Sequence, residues 1–198
     1  MRRTRSLSHK RALLLDVGCG AMKWGPLWTG MDVRALPGVD IVHDLERFPW
    51  PLPSNSVSTA RMSHVLEHIK PWLTIQLFDE LWRVLKPEAI IHIACPYGVS
   101  SRFVQDPTHC NPVSEVTFYY FDPQPPGWPI PQDNPEAVNG LYEVYRPRPW
   151  KIEQLYWQQA GDIEVLLKKR EDKWSYASMG LSSTAPSPSR RRTPNTKR

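Results

Sequence analysis

The sequence predicts an α/β domain built on an open, mostly parallel sheet, and three observations carry that expectation. Residues 12–17 (ALLLDV) form a short, nearly continuous apolar run closed by Gly18 and Gly20, the pattern of a strand buried on both faces. Leu73, Leu77, Leu81 and Leu85 repeat at four-residue spacing behind Pro71, as on an amphipathic helix with proline at its first position. After the helix breaker Pro87, residues 89–94 (AIIHIA) read as a second buried strand. Strand, helix and strand in that order require a right-handed crossover and parallel pairing.

The remaining elements follow along the chain. Further strands are expected at 28–33, 39–43 and 57–63. Residues 114–121 suit a short helix whose aromatics, Phe118 to Phe121, pack inward. From 122 to 149 the texture changes, with eight prolines in 28 residues. Structureless segments of that length are functional or disordered in compact domains, so a lid or substrate-side surface is expected there. Residues 151–157 and 162–168, joined by Gln-Gln-Ala-Gly, read as a β-hairpin at the sheet edge. The organisation is therefore a basic extension over 1–11, one domain over 12–175, and a disordered basic tail over 182–198 made of Ser, Thr, Pro and Arg.

Composition narrows the function classes. A chain of 198 residues has room for one ordinary core. No run approaches the roughly 18 apolar residues of a membrane span, and three cysteines without paired spacing do not make a disulfide framework or a metal motif. A cytoplasmic protein with no membrane partner is expected. The net charge is +5, but Arg2, Arg3, Arg5, Lys10 and Arg11 at one end and Arg190, Arg191, Arg192, Lys197 and Arg198 at the other account for it. Without those ten, 15 basic residues face 20 acidic ones, so the body is acidic. An extensive nucleic-acid groove is disfavoured, although the basic ends could contact an anionic surface.

Chemistry first enters at Asp16-Val17-Gly18-Cys19-Gly20, directly after the first strand. Glycines let the backbone turn tightly and approach a ligand, and ligands of open α/β sheets lie outside the carboxyl ends of strands. Asp32 ends the second strand, where a carboxylate can accept from two ribose hydroxyls. Asp44 ends the third, where it can accept from an exocyclic amine such as that of adenine. Each acid alone is explained by a helix cap or a turn; three at successive strand ends point to a nucleoside site.

With these motifs in place, the chain resembles the class I S-adenosylmethionine-dependent methyltransferases. LLLDVGCG, GMDV, HDLERFPWPLPSNSVS, HVLEHI and LWRVLKPEAIIHIACP match the successive motifs of that family over roughly residues 12–96. The resemblance implies a Rossmann-like, seven-stranded sheet with a reversed edge hairpin and helices on both faces, with S-adenosyl-L-methionine lying across the strand ends. It places Asp16, Gly18, Cys19 and Gly20 at the methionine end, Asp32 at the ribose, and Asp44 with the Leu45 backbone N–H at the adenine. His64, after the fourth strand, would face the transferred methyl. The chain departs from the pattern in having only 11 residues between Gly20 and Asp32, too few for the usual helix and strand. A loop over 22–27 is expected instead, making Trp24 and Trp28 candidate pocket walls. Ser58 and the Glu88-Ala89 pair, where relatives carry Asp and Gly-Gly, touch no expected cofactor contact.

Two other constellations compete for roles. His64-Val65-Leu66-Glu67-His68 matches H-x-x-E-H, a zinc-peptidase pattern that needs a continuous helix and a third ligand. Lys70-Pro71 follows at once and 57–63 reads as strand, so no metal is expected and Glu67 and His68 are assigned to the turn. Asp106-Pro107-Thr108-His109-Cys110 either braces a turn or brings Asp106 and His109 to the acceptor; the same D-P-x-H element, followed by an aromatic helix, recurs in the small methyltransferases that the chain resembles. His is suited to taking a proton near neutral pH. The expectation is methyl transfer to a small-molecule acceptor with His64, Asp106 and His109 on the acceptor side. A non-catalytic cofactor-binding protein and a nucleic-acid methyltransferase are the alternatives. Against the latter, no Asn-Pro-Pro-aromatic or Asp-Pro-Pro-aromatic element follows the fourth strand. The nine Trp and seven Tyr mostly suit core packing rather than base stacking.

Overall fold

The computed structural model describes residues 12–174, and the basic ends expected at 1–11 and 182–198 lie outside the described residues. Seven strands form one sheet: β1 (Leu13–Val17), β2 (Trp28–Asp32), β3 (Ile41–Val42), β4 (Val57–Ser63), β5 (Leu85–Pro96), β6 (Trp150–Trp157) and β7 (Asp162–Lys169). Their order is β3-β2-β1-β4-β5-β7-β6. Pairing is parallel from β3 to β5, while β7 runs antiparallel to both of its neighbours. The expected hairpin is present, but its reversed strand β7 is inserted between β5 and β6, leaving β6 at the edge. Chain order turns back between β1 and β4, and that switch point is where open α/β sheets form a ligand crevice.

The register of the parallel strands gathers their buried apolar residues on one face of the sheet. Leu15, Val17, Met62, Ile91 and Ile93 have no exposed surface and, by alternation and register, share that face, which therefore needs cover. Helix α1 (Thr74–Val84) supplies part of it through Leu77, Phe78, Leu81 and Val84, all fully buried. Phe78 stacks on Phe121 with ring centroids 4.0 Å apart and meets Trp150 edge-on. The helix expected over 71–85 starts as a 3-10 turn at Pro71–Leu73 and stops at Val84. Leu85 already belongs to β5, which begins four residues before the expected strand. The early start is accommodated by an irregular register opposite Val57 and Thr59 and by Glu88, whose φ is +62°.

Elsewhere the helices are short: α2 (Ser101–Val104), α3 (Glu115–Tyr119) and α4 (Gly140–Tyr145). No helix occurs at 18–27 or 33–40, the links from β1 to β2 and from β2 to β3. The proline-rich segment is less irregular than its composition suggests. It contains α4, capped by the Asn139 side chain, and its base is anchored: buried Tyr142 donates to Pro147 O, and Arg148 N–H donates to Asp79 Oδ1 at 2.8 Å. Residues 126–136, which precede those anchors, are exposed. Among the described residues, no helix is long and apolar enough to cross a membrane.

Candidate functional site

The carboxyl ends of β1, β2 and β4 meet around the glycine turn. Gly18 and Gly20 have φ of +68° and +59°, values that glycine adopts without strain. The turn is tied to β2, since Gly18 N–H donates to Met31 O at 2.7 Å and Cys19 N–H to the same oxygen at 3.2 Å. A Cβ on Gly18 would lie 2.3 Å from Val65 Cγ2, so the segment after β4 packs directly on the turn. Gly20 faces open space, where a Cβ would meet nothing closer than Arg34 Nη2 at 3.8 Å. The turn is closed on one side and open on the other, as a ligand cradle requires.

The three strand-end acids differ in their partners. Asp16 is buried and already engaged: Oδ2 accepts from Trp24 N–H at 2.7 Å, and Oδ1 lies 3.5 Å from Arg61 Nη1. The Arg61 guanidinium sits 4.2 Å over the Trp24 ring, fastening the 21–27 loop that replaces a helix. Asp16 therefore shapes the crevice at least as much as it lines it. Asp32 Oδ2 accepts from Gly20 N–H at 2.9 Å, and Oδ1 accepts from Arg34 N–H at 3.0 Å and Arg34 Nε at 3.2 Å. Burial pushes its pKa up, but the hydrogen bonds from Arg34 and Gly20 outweigh that and hold the carboxyl below its ordinary value. It is thus ionised and acceptor-only at neutral pH. Asp44 is more open, its side chain 40% exposed; Oδ1 accepts from Glu46 N–H and Oδ2 faces Arg47 Nε at 3.4 Å. The Leu45 side chain is buried and fixes the backbone beside Asp44. Trp24 is exposed at 63%, and Trp28 is half-buried at the start of β2.

A second group of polar side chains adjoins this turn through Val65. His64 follows β4 with φ of +54°, an uncommon conformation for a non-glycine residue, and its N–H donates to Ala94 O. Its Nδ1 lies 3.4 Å from Glu67 Oε1 and its Nε2 3.8 Å from Asp162 Oδ2 at the start of β7. The Glu67 carboxylate raises the imidazole pKa above its ordinary value, against the opposing effect of burial. Asp106 and His109 join the same group. The backbone N–H groups of Cys110 and Asn111 both donate to Glu67 O, at 2.9 and 3.0 Å, which ties the 106–111 loop to the 3-10 turn at Leu66–His68. His109 Nε2 stands 4.0 Å from Glu67 Oε1 and 3.8 Å from Asp106 Oδ2. Sequence reasoning left Glu67 in a turn-bracing role; the structure puts it at the centre of this group. The H-x-x-E-H spacing was the available signal, whereas Arg61 and Asp162 carried none.

A cavity of about 320 Å³ opens at the opposite end of the strands, beside Asn55, Trp82 and Lys169. The Lys169 ammonium there donates to Asn55 Oδ1 and Leu85 O, both at 2.7 Å, and lies 3.8 Å over the Trp82 ring. None of the strand-end acids is near this cavity, so the site chemistry belongs to the glycine-turn end.

No protein-family model and no curated protein matches the sequence. Solved structures do match in shape. The chain is similar to a SAM-dependent methyltransferase from Archaeoglobus fulgidus, with a TM-score of 0.53, 18% identity, and coverage of 81% of this chain and 87% of that one. The YcgJ protein from Bacillus subtilis superposes with a TM-score of 0.50 and 17% identity, over 81% of this chain and 93% of that one. Phosphoethanolamine N-methyltransferase 1 from Haemonchus contortus, solved with phosphoethanolamine and S-adenosylhomocysteine, gives a TM-score of 0.56 at 10% identity, over 81% of this chain and 39% of that one. At these identities the shared property is the fold, the Rossmann-like seven-stranded sheet of methyltransferases.

Proposed function

We propose that the chain binds S-adenosyl-L-methionine across the carboxyl ends of β1, β2 and β3 and transfers its methyl group to a small-molecule acceptor. One observation carries the reading: an open-faced glycine turn at the sheet switch point, with Asp32 and Asp44 at the ends of the next two strands. The fold shared with methyltransferases supports it. Asp32 would hold the ribose hydroxyls, Asp44 and the Leu45 N–H the adenine, and Gly18, Cys19 and Gly20 the methionine end, with Asp16 holding the loop that walls the crevice.

When bound, the sulfonium supplies an activated methyl whose positive charge disappears on transfer. The protein's work is then to hold an acceptor atom within about 3 to 3.5 Å in line and keep water out. His64, Asp106 and His109 stand on the acceptor side of this arrangement. His64 is the group suited to take a proton if the acceptor loses one.

Calorimetry with S-adenosylmethionine and S-adenosylhomocysteine tests the reading. Binding of both is expected. Asp44→Ala should weaken it by roughly tenfold, the worth of one charge-assisted hydrogen bond; Asp32→Ala should weaken it more, because it also releases Gly20. No binding, or binding indifferent to both substitutions, would overturn the proposal. Binding without methyl incorporation into any acceptor panel would leave a non-catalytic cofactor-binding protein.

A further inference from the structure

We propose that Glu67, His68 and His109 hold one divalent transition-metal ion of the zinc class, with His64 and Asp106 at its margin. The proposal starts from a buried carboxylate whose nearest partners are imidazoles beyond hydrogen-bond geometry. The Glu67 side chain is 1% exposed, and neither of its oxygens has a hydrogen bond among the described residues. A buried carboxylate in that condition costs several kcal/mol unless a cation meets it. The side chains aimed at it are imidazoles, and one donor atom each from Glu67, His68 and His109 falls within 4.8 Å of the others.

The spacing favours a bridging ion over direct pairing. His64 Nδ1 and His109 Nε2 stand 3.4 and 4.0 Å from Glu67 Oε1, both longer than a good N–H···O bond. Ligands held at about 2.0 to 2.2 Å around a tetrahedral zinc lie roughly 3.3 to 3.5 Å apart. The donor atoms of Glu67, His68 and His109, within 4.8 Å of one another, would have to close by up to about 1.3 Å to reach coordinating positions.

The outer contacts prepare the donors. His109 Nδ1 donates to Phe103 O at 2.8 Å, which puts the proton on Nδ1 and leaves the Nε2 lone pair toward Glu67. A metal-binding histidine is commonly oriented through its second nitrogen in this way. His68 is held similarly: the Thr108 hydroxyl donates to Asp106 Oδ1 at 2.7 Å, so it accepts from His68 Nδ1 at 3.1 Å. Two imidazoles and one carboxylate suit zinc, cobalt or manganese better than magnesium, which prefers oxygen ligands. The zinc-peptidase pattern is not reproduced, because the chain there is a 3-10 turn, not a continuous helix. The third donor comes instead from the 106–111 loop. An ion with three protein ligands keeps a position for an oxygen of the acceptor; that role rests on the methyl-transfer reading, whereas the site itself does not.

The test uses the full chain, stripped with chelator, and titrated with Zn²⁺ and separately with Co²⁺. S-adenosylmethionine calorimetry on the same preparations reports whether the fold and cofactor site are intact. One ion per chain is expected, with a Co²⁺ visible spectrum of low-coordinate nitrogen and oxygen ligation, and little competition from Mg²⁺. Glu67→Gln and His109→Ala should each weaken binding by about 100-fold or more. Because Glu67→Gln alters a buried group and could fail to fold, His68→Asn, at an exposed position, provides a second variant with the same expected direction. Absence of metal binding by the intact chain overturns the proposal, and so does binding unchanged in His68→Asn and His109→Ala, which would mark an adventitious ion elsewhere. Metal binding without S-adenosylmethionine binding would support the site and refute the methyl-transfer reading alone.

Discussion

Replacing Gly18 by alanine should damage the protein by two separable routes. The backbone there has φ of +68°, which costs an L-residue about 1 to 2 kcal/mol. The added methyl would also lie 2.3 Å from Val65 Cγ2 and 3.1 Å from Cγ1, and Val65 is buried. Forcing a methyl into packed surroundings costs about 1 to 3 kcal/mol. Gly18→Ala alone should therefore lose about 2 to 5 kcal/mol. Val65→Ala alone should lose about 2 kcal/mol from two buried methyls and the space they leave. Together the severe overlap is relieved, leaving only a tight contact with Val65 Cβ at 3.3 Å. The double variant should be about 1 to 3 kcal/mol more stable than the sum of the two single losses. Urea unfolding of the four proteins measures this cycle. Additive losses, within about 0.5 kcal/mol, would refute the packing argument. S-adenosylmethionine calorimetry gives a second check: the Gly18 Cβ direction points at Val65 and not into the crevice, so the double variant should recover binding although it stays about 3 to 4 kcal/mol less stable than the parent. Gly20→Ala should do the reverse, losing only about 1 to 2 kcal/mol from its positive φ, with no overlap, while weakening cofactor affinity.

Two further substitutions test the surroundings of the sheet. Burial pushes the Asp79 carboxyl up to about 6, so the folded state binds more protons than the unfolded one above pH 3.8, and stability falls as pH rises through that window. Asp79→Asn keeps an acceptor for the Arg148 N–H and should raise stability by up to about 3 kcal/mol at pH 7.5 but hardly at pH 4; an equal effect at both pH values would refute the assignment. Glu88 has a left-handed backbone, φ +62°, and its side chain pairs at the surface with Lys168 at 2.8 Å. Glu88→Gly should stabilise by roughly 0.5 to 1 kcal/mol, because relief of strain exceeds the loss of an exposed ion pair. Thermal unfolding that shifts downward would show that the pair matters more.

The parallel sheet was legible because its strands are apolar runs between glycines and prolines, and the four-residue leucine spacing located α1 to within a turn. The missing helix after β1 was legible too, since 11 residues cannot hold a helix and a strand. What escaped was long-range pairing. Nothing at Asp16 announces that its carboxylate is engaged by Trp24 N–H and approached by Arg61, 45 residues away. The role of Glu67 escaped for a related reason. Its neighbours in sequence suggested a helix pattern that the following Pro71 forbids, whereas its neighbours in space arrive from a loop some forty residues later. The composition of 122–149 concealed α4, because prolines dominate the count while Asn139, Tyr142 and Arg148 do the anchoring.

The placement of β7 imposes an order on assembly. Its seven-residue pairing with β5, from Ile90↔Lys168 to Pro96↔Asp162, is contributed by nearly the last part of the described chain. Until that segment emerges from the ribosome, β5 presents an open, apolar edge, the kind of surface to which other chains add strands. Only when β7 docks does Asp162 reach His64 and the salt bridge from Arg102 to Asp162 form. The rim of the crevice is thus sealed by the C-terminal part of the chain, so a nascent protein carries the glycine turn and all three strand-end acids well before it has a complete acceptor side.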